Sequence, residues 1–285
     1  MAQNLPITVG VLGGGRMGAG IAHAFVTSGC EVIVVEQHDD AAQAARERVL
    51  RDVSGSVERG KIEGTIADYE AKLTVTTDQS AFAKAGLVIE AVPEDFDLKV
   101  SALQTVEQHL ADDAYLATNT SSMSVTGLAQ ELSRPQNFCG LHFFNPVPAS
   151  KLVEVVIGEQ TSDKLKTLTA QWTQGIGKTP VTVNDAPGFA SSRLGVALGL
   201  EAIRMVEEGV ASAEDIDNAM VLGYKHPIGP LALTDIVGLD VRLGIAEYLE
   251  EQLGPRFAPP KLMRDMVQRG ELGRKSGQGF YTYDD

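Results

Sequence analysis

Residues 7–12, Ile-Thr-Val-Gly-Val-Leu, run without a break into Gly13-Gly14-Gly15-Arg16-Met17-Gly18, and this junction restricts the fold more than any other stretch. An apolar run that short reads as a buried strand, and the G-x-G-x-x-G spacing follows it at once. Residues 21–26 continue with helical periodicity until Gly29 supplies a stop, and Glu31-Val32-Ile33-Val34-Val35 is the next strand, closed by Glu36. Strand, glycine turn, helix and parallel strand in that order make a βαβ unit with a mononucleotide-binding turn. In such a unit Gly13 permits the tight turn, Gly15 lets a pyrophosphate approach the backbone, and Gly18 lets the helix pack against the strand. The helix N-terminus then faces the negative charge. Glu36, at the end of the second strand, is placed to accept hydrogen bonds from ribose hydroxyls and to repel a 2′-phosphate, so the spacing predicts NAD rather than NADP.

Further strand-like runs recur at 73–75, 87–89, 115–117 and 138–141, with helical stretches at 96–110 and 125–132 between them. That alternation predicts a mostly parallel sheet with helices on both faces. A last strand is expected at 178–183, broken by Asn184-Asp185-Ala186-Pro187-Gly188, and from there to the end the pattern is helical. The expected organisation is therefore α/β: a Rossmann-like domain over 1–186 followed by an all-helical C-terminal domain over 187–285. The crossover at 39–72 is long for a strand-to-strand connection and predicts a helix pair projecting from the sheet. It carries Arg46, Arg48, Arg51, Arg59 and Lys61. Most of these read as a solvated face interleaved with Glu47, Asp52 and Glu58; the alternative is a phosphate-binding patch for a second anionic ligand.

Acid–base chemistry points to 141–155. His142 follows the apolar run 138–141, near the carboxyl end of a strand, where open α/β sheets keep their ligand crevice. Glu154 lies in Leu152-Val153-Glu154-Val155-Val156, where a charge is expensive without a partner. A glutamate bonded to one imidazole nitrogen fixes the tautomer and gives proton transfer to the other; the alternative is a histidine that caps a strand end and a glutamate that faces water. Residues 118–122, Thr-Asn-Thr-Ser-Ser, form a polar knot after the fifth strand, able to cap a helix or bond a ligand. In the helical half His226 reads as structural, and the glycine-rich tail 273–281, with Arg274 and Lys275, is either an ordered turn or a basic finger.

A net charge of −14 argues against nucleic acid or an anionic membrane surface as partner. The first residues lack a secretory signal and no apolar run is long enough to span a bilayer, so a cytoplasmic protein is expected. Cys30 and Cys139 border strands and are expected as packed thiols. None of the five histidines falls in a metal-ligand spacing, so no metal site is expected.

Taken in one order, the glycine loop, Glu36, 118–122, His142-Phe143-Phe144-Asn145-Pro146, Lys151-Leu152-Val153-Glu154-Val155, Pro187-Gly188-Phe189 and the 277–281 tail resemble the short-chain L-3-hydroxyacyl-CoA dehydrogenases, most of all their bacterial 3-hydroxybutyryl-CoA branch. The resemblance spans nearly the whole chain, and His-Phe-Phe-Asn-Pro is its most specific block. It implies NAD-dependent, reversible oxidation of the 3-hydroxyl of an acyl-CoA, and a homodimer formed through the helical domain. Position by position, it makes His142 the general base, Glu154 its orienting partner and Ser121 a ligand of the substrate 3-oxygen. Glu94, Lys99, Asn145 and Lys275 would line the cofactor site, and Arg59 or Lys61 would contact the CoA phosphates. One departure stands out: the family usually has Asn-Arg after Pro-Gly-Phe, whereas this chain reads Ala190-Ser191-Ser192-Arg193, so Ser192 occupies the position of a substrate-binding asparagine. Two other readings stay open: a dehydrogenase of free hydroxy or sugar acids, which needs no basic crossover, and a non-catalytic dinucleotide-binding relative.

Overall fold

The computed structural model describes residues 5–283 and divides into two compact units between Ala186 and Pro187. In the first unit, β1 (Thr8–Leu12), β2 (Glu31–Val35), β3 (Leu73–Thr76), β4 (Leu87–Glu90), β5 (Tyr115–Thr118), β6 (Phe138–Phe143), β7 (Leu152–Ile157) and β8 (Thr179–Asn184) form one eight-stranded sheet, ordered β3-β2-β1-β4-β5-β6-β7-β8. All neighbours are parallel except β6 and β7, which are antiparallel. The exception follows from chain length, because residues 144–151 make too short a connection for a parallel crossover. The central strands are buried on both faces, which is why β1, β4, β5 and β6 read as unbroken apolar runs. At the rim, β8 is largely exposed and carries Pro180, as an edge strand can. The order in which successive strands are added to the sheet reverses between β1 and β4, and the carboxyl ends of these parallel strands flank the crevice in which doubly wound folds bind ligands.

The helices of this unit are α1 (Arg16–Val26), α2 (Asp39–Glu58), α3 (Ile66–Glu70), α4 (Phe96–His109), α5 (Val125–Gln130) and α6 (Asp163–Gly175). Side chains cap most of them: His38, Thr65, Asp95, Ser124 and Ser162 each accept a first-turn N–H. The crossover forms a helix pair, α2 and α3, but α2 packs against the unit instead of standing clear of it. Along its whole length α2 buries Ala42, Ala45, Val49, Val53 and Ser56, three of them (Ala45, Val49 and Val53) in the core shared with α1 and the sheet, while α3 is a little over one exposed turn. Small residues at helical spacing let α2 lie close to α1, and they are hard to see among its charges.

The second unit contains α7 (Ser191–Glu207), α8 (Ala213–Asn218), α9 (Pro230–Val237), α10 (Leu239–Leu253) and α11 (Lys261–Gln268) around a core of Val196, Leu200, Ile203, Leu231, Leu249 and Met263. Its tail is an ordered turn rather than a basic finger. Asp235 accepts the N–H groups of Phe280 and Tyr281 and the Tyr283 hydroxyl, and Asp217 accepts the Tyr281 hydroxyl together with the N–H groups of Leu231 and Ala232. Gly279 is required there, since a Cβ would lie 2.2 Å from an Asp235 oxygen.

Candidate active site

The glycine turn is built as its spacing demands. Gly13 has φ +89°, and a Cβ on Gly18 would stand 1.7 Å from the Gly13 carbonyl oxygen, so nothing larger fits at the first turn of α1. A Cβ on Gly15 would meet nothing within 4 Å. Its need for glycine therefore comes from whatever approaches the loop, not from the protein. The N-terminus of α1 has neither a side-chain cap nor an acidic residue in its first turn, which leaves its N–H groups to an anionic ligand. Glu36 is half-buried beside the loop, with the Gly14 N–H donating to its Oε1 at 2.6 Å. These features fit a dinucleotide: an open backbone cradle, a helix N-terminus and a fixed carboxylate for the ribose. The sequence reading passed over Gly14, whose Cβ would fall 2.3 Å from that of Ala45, and Arg48, which donates to the Gly14 carbonyl at 3.2 Å.

At the carboxyl end of β6, His142 stands directly opposite Glu154 of β7 in antiparallel register, so the two side chains share a face. Nδ1 lies 2.8 Å from Glu154 Oε2 and both residues are buried, at 6% and 0% exposure. An ionised carboxylate only accepts, so the imidazole carries its proton on Nδ1 and proton transfer falls to Nε2. The His142 ring also packs on Phe144, with centroids 4.4 Å apart. The next strand end is tied in by Asn119, whose Oδ1 accepts the Phe143 N–H at 2.9 Å. The Lys178 ammonium donates to the carbonyls of Val147 and Ser150 and so pins the loop that follows β6, on which Asn145 is exposed.

A second cluster joins β4, α4 and the 118–122 knot. Glu94 Oε1 accepts the Thr120 hydroxyl at 2.5 Å, the Ser121 N–H at 2.9 Å and the Ser121 hydroxyl at 3.3 Å. Burial alone would raise the Glu94 carboxyl, but the Lys99 ammonium at 3.2 Å and these hydrogen bonds outweigh it and hold the group below the usual carboxylate range. Lys99 itself does not line a ligand surface, contrary to expectation. It is 1% exposed, because it donates at 2.7 Å to Glu90, which is 0% exposed, and at 3.2 Å to the Val92 carbonyl. Glu90 in turn accepts the Thr118 hydroxyl and the Val92 N–H. The signal for Glu90 was a lone charge ending the apolar run Leu87-Val88-Ile89.

The remaining residues are more scattered. Arg46 is paired with Glu70, whereas Arg59 and Lys61 are exposed and make no ion pair among the described residues. Both lie near enough to buried His23 that, after burial and Lys178, their charges help to lower its pKa to about 4. In the second unit Ser192 is half-buried in the first turn of α7. Lys275 is exposed and pairs with Asp240 at 2.6 Å. Cys30 and Cys139 are free and buried, and burial pushes their thiols up to about 11 and about 12.

A family profile described as the 3-hydroxyacyl-CoA dehydrogenase NAD binding domain matches residues 8–186, and one described as the C-terminal domain of the same enzymes matches residues 188–283. The chain is 42% identical over 279 residues to the 3-hydroxybutyryl-CoA dehydrogenase of Mycobacterium tuberculosis, covering 96% of this chain and 98% of the relative. It is 38% identical over 284 residues to the mitochondrial hydroxyacyl-coenzyme A dehydrogenase of Rattus norvegicus, covering 96% and 90%. Among solved structures, an (S)-3-hydroxybutyryl-CoA dehydrogenase from Ralstonia eutropha superposes with a TM-score of 0.94 at 40% identity, over 98% of this chain and 100% of the other. The chain belongs to the 3-hydroxyacyl-CoA dehydrogenase family and carries that family's NAD-binding domain.

Proposed function

We propose that the protein interconverts (S)-3-hydroxyacyl-CoA and 3-ketoacyl-CoA with NAD, on short acyl chains such as 3-hydroxybutyryl-CoA. The observation that carries this reading is the buried His142–Glu154 pair at a strand end of an NAD-binding sheet. In oxidation, His142 Nε2 takes the proton of the 3-hydroxyl, and Glu154 stabilises the imidazolium that develops without changing the ring's position. Ser121, held by Glu94, orients the 3-oxygen, and the microscopic reverse serves reduction. Bound NAD would supply the hydride acceptor, held by Gly13, Gly15, Gly18 and Glu36, with Asn145 and Glu94 nearby in the same unit. Arg59 and Lys61 offer two exposed cations to the phosphates of CoA, which supports a CoA thioester over a free acid.

Initial rates with NADH test the reading: acetoacetyl-CoA should be reduced at least about a hundredfold more efficiently than free acetoacetate, and NADH should be used in preference to NADPH. Equal rates with the free acid would favour a hydroxy-acid dehydrogenase, and binding of NADH without turnover of either would favour a non-catalytic relative. Exposed Leu222, Tyr224, Ile236 and Val241 on the helical unit support a homodimer formed through that unit, to be checked by sedimentation. We place the enzyme in the cytoplasm.

A further inference from the structure

Arg48 lies in α2 and sends its guanidinium to the glycine turn, where Nη1 donates to the Gly14 carbonyl at 3.2 Å. It is half-buried and makes no ion pair among the described residues. The neighbouring acids are engaged elsewhere, Glu70 with Arg46 at 2.7 Å and Glu47 with the Gln43 amide at 2.8 Å. A single backbone carbonyl takes one N–H of the fork, so the guanidinium keeps its charge and most of its donors for an anionic group.

Gly14 thus has neighbours of opposite charge, since its N–H donates to Glu36 Oε1 at 2.6 Å. Packing fixes the side of the turn on which they lie. A Cβ on Gly14 would stand 2.3 Å from that of Ala45 and 3.3 Å from Glu36 Oε1, and Ala45 and Arg48, at i and i+3, share a face of α2. Long side chains on a helix lean toward its N-terminus, and α2 begins at Asp39, just past Glu36. The guanidinium is therefore carried back to the Glu36 side of the turn, where the acidic residue that ends β2 holds the adenosine ribose. Gly15, with open space around it, faces the pyrophosphate instead.

In dinucleotide-binding sheets a carboxylate at this place repels the 2′-phosphate that distinguishes NADPH, and an arginine nearby accommodates it. Here both are present on one side of one turn. We propose that Arg48 is a cofactor-specificity residue with affinity for a ribose 2′-phosphate, and that Glu36 alone overrides it in favour of NADH. The inference rests on the assignment of Glu36 to the ribose and deepens it: the preference for NADH is a balance of two opposed charges, and removing the negative one reveals the positive.

The test compares the wild type, Glu36→Ser, Arg48→Met and the double variant. Calorimetric titration with adenosine 2′,5′-bisphosphate and with AMP, which differ only by the 2′-phosphate, reads binding without turnover, and kcat/KM for acetoacetyl-CoA reduction with NADPH and with NADH reads cofactor use. Glu36→Ser should bind the bisphosphate about ten- to a hundredfold more tightly than AMP, the worth of charge-assisted hydrogen bonds to a phosphate, and should raise the ratio of NADPH to NADH use by a similar factor. Both effects should vanish in the double variant, whereas Arg48→Lys in the Glu36→Ser background keeps a cation and should keep part of them. A bisphosphate preference retained in the double variant overturns the proposal and would assign the phosphate to other cations such as Arg59 and Lys61. So does a loss in Arg48→Met that is equal for NADH and NADPH, because the arginine would then only brace the turn. A Glu36→Ser variant with an unchanged NADPH to NADH ratio would instead refute the ribose assignment of Glu36, and the bisphosphate titration of Arg48→Met beside the wild type would still decide whether Arg48 binds a 2′-phosphate.

Discussion

Replacing Lys99 by Met isolates the ion pair beneath the candidate substrate contact. The substitution keeps the side-chain length and removes only the ammonium, which leaves Glu90, at 0% exposure, without its counter-ion and Glu94 without its nearest cation. Removing one partner of a buried pair costs about 3–5 kcal/mol, because the remaining charge is stranded away from water. For a unit of this size that is a fall in Tm of roughly 6–20 °C. Urea unfolding can be followed through Trp172, the only tryptophan, which is buried in the same unit. The pH dependence has a definite sign. Glu94, depressed in the folded state, contributes stability above its ordinary value of 4.5 and loses it as pH falls through the lower folded value; without Lys99 this contribution shrinks. Combining Lys99→Met with Glu90→Gln removes both charges and should cost less than the sum of the single changes. A single-variant loss below about 1 kcal/mol, or strict additivity in the double variant, would refute the reasoning, since both would mean that water already screens the pair.

Three further outcomes follow from the first unit. Gly18→Ala should abolish NADH binding and destabilise the protein because its methyl would collide with the Gly13 carbonyl, whereas Gly15→Ala, with open space around it, should leave Tm within about 1 °C and weaken NADH binding alone; melting curves and NADH titrations separate the two. His23, buried against Ser56 with its pKa lowered to about 4, contributes stability in full above about 6.5 and loses it as pH falls towards 4, by roughly 2–3 kcal/mol. His23→Leu should flatten that part of the stability–pH curve, and an unchanged slope would contradict the assignment. Glu36→Ser should erode discrimination against NADPH; a wild type that already prefers NADPH would overturn the ribose argument.

Much of this architecture is legible from residues alone because parallel strands buried on both faces leave uninterrupted apolar runs, and because the glycine turn demands a defined backbone. His142 and Glu154 were legible for a related reason, each being a polar group inside such a run. Their opposition was not, since no local pattern states that β7 runs antiparallel to β6 and places residue 142 across from residue 154. Lys99 looks like any solvated helix residue until its partner Glu90, at the end of the preceding strand, is known. Lys275 likewise meets Asp240 across 35 residues, and the small residues that seat α2 on α1 hide among six basic side chains in the crossover. In each case the deciding interaction joins two different elements, and the periodicity within one element carries no information about it.

The account stands most directly on proton transfer at His142. Acetoacetyl-CoA reduction by His142→Ala, measured beside NADH binding to the same variant, should show kcat lower by at least about a hundredfold with NADH affinity unchanged. Turnover within a few fold of the wild type would contradict it.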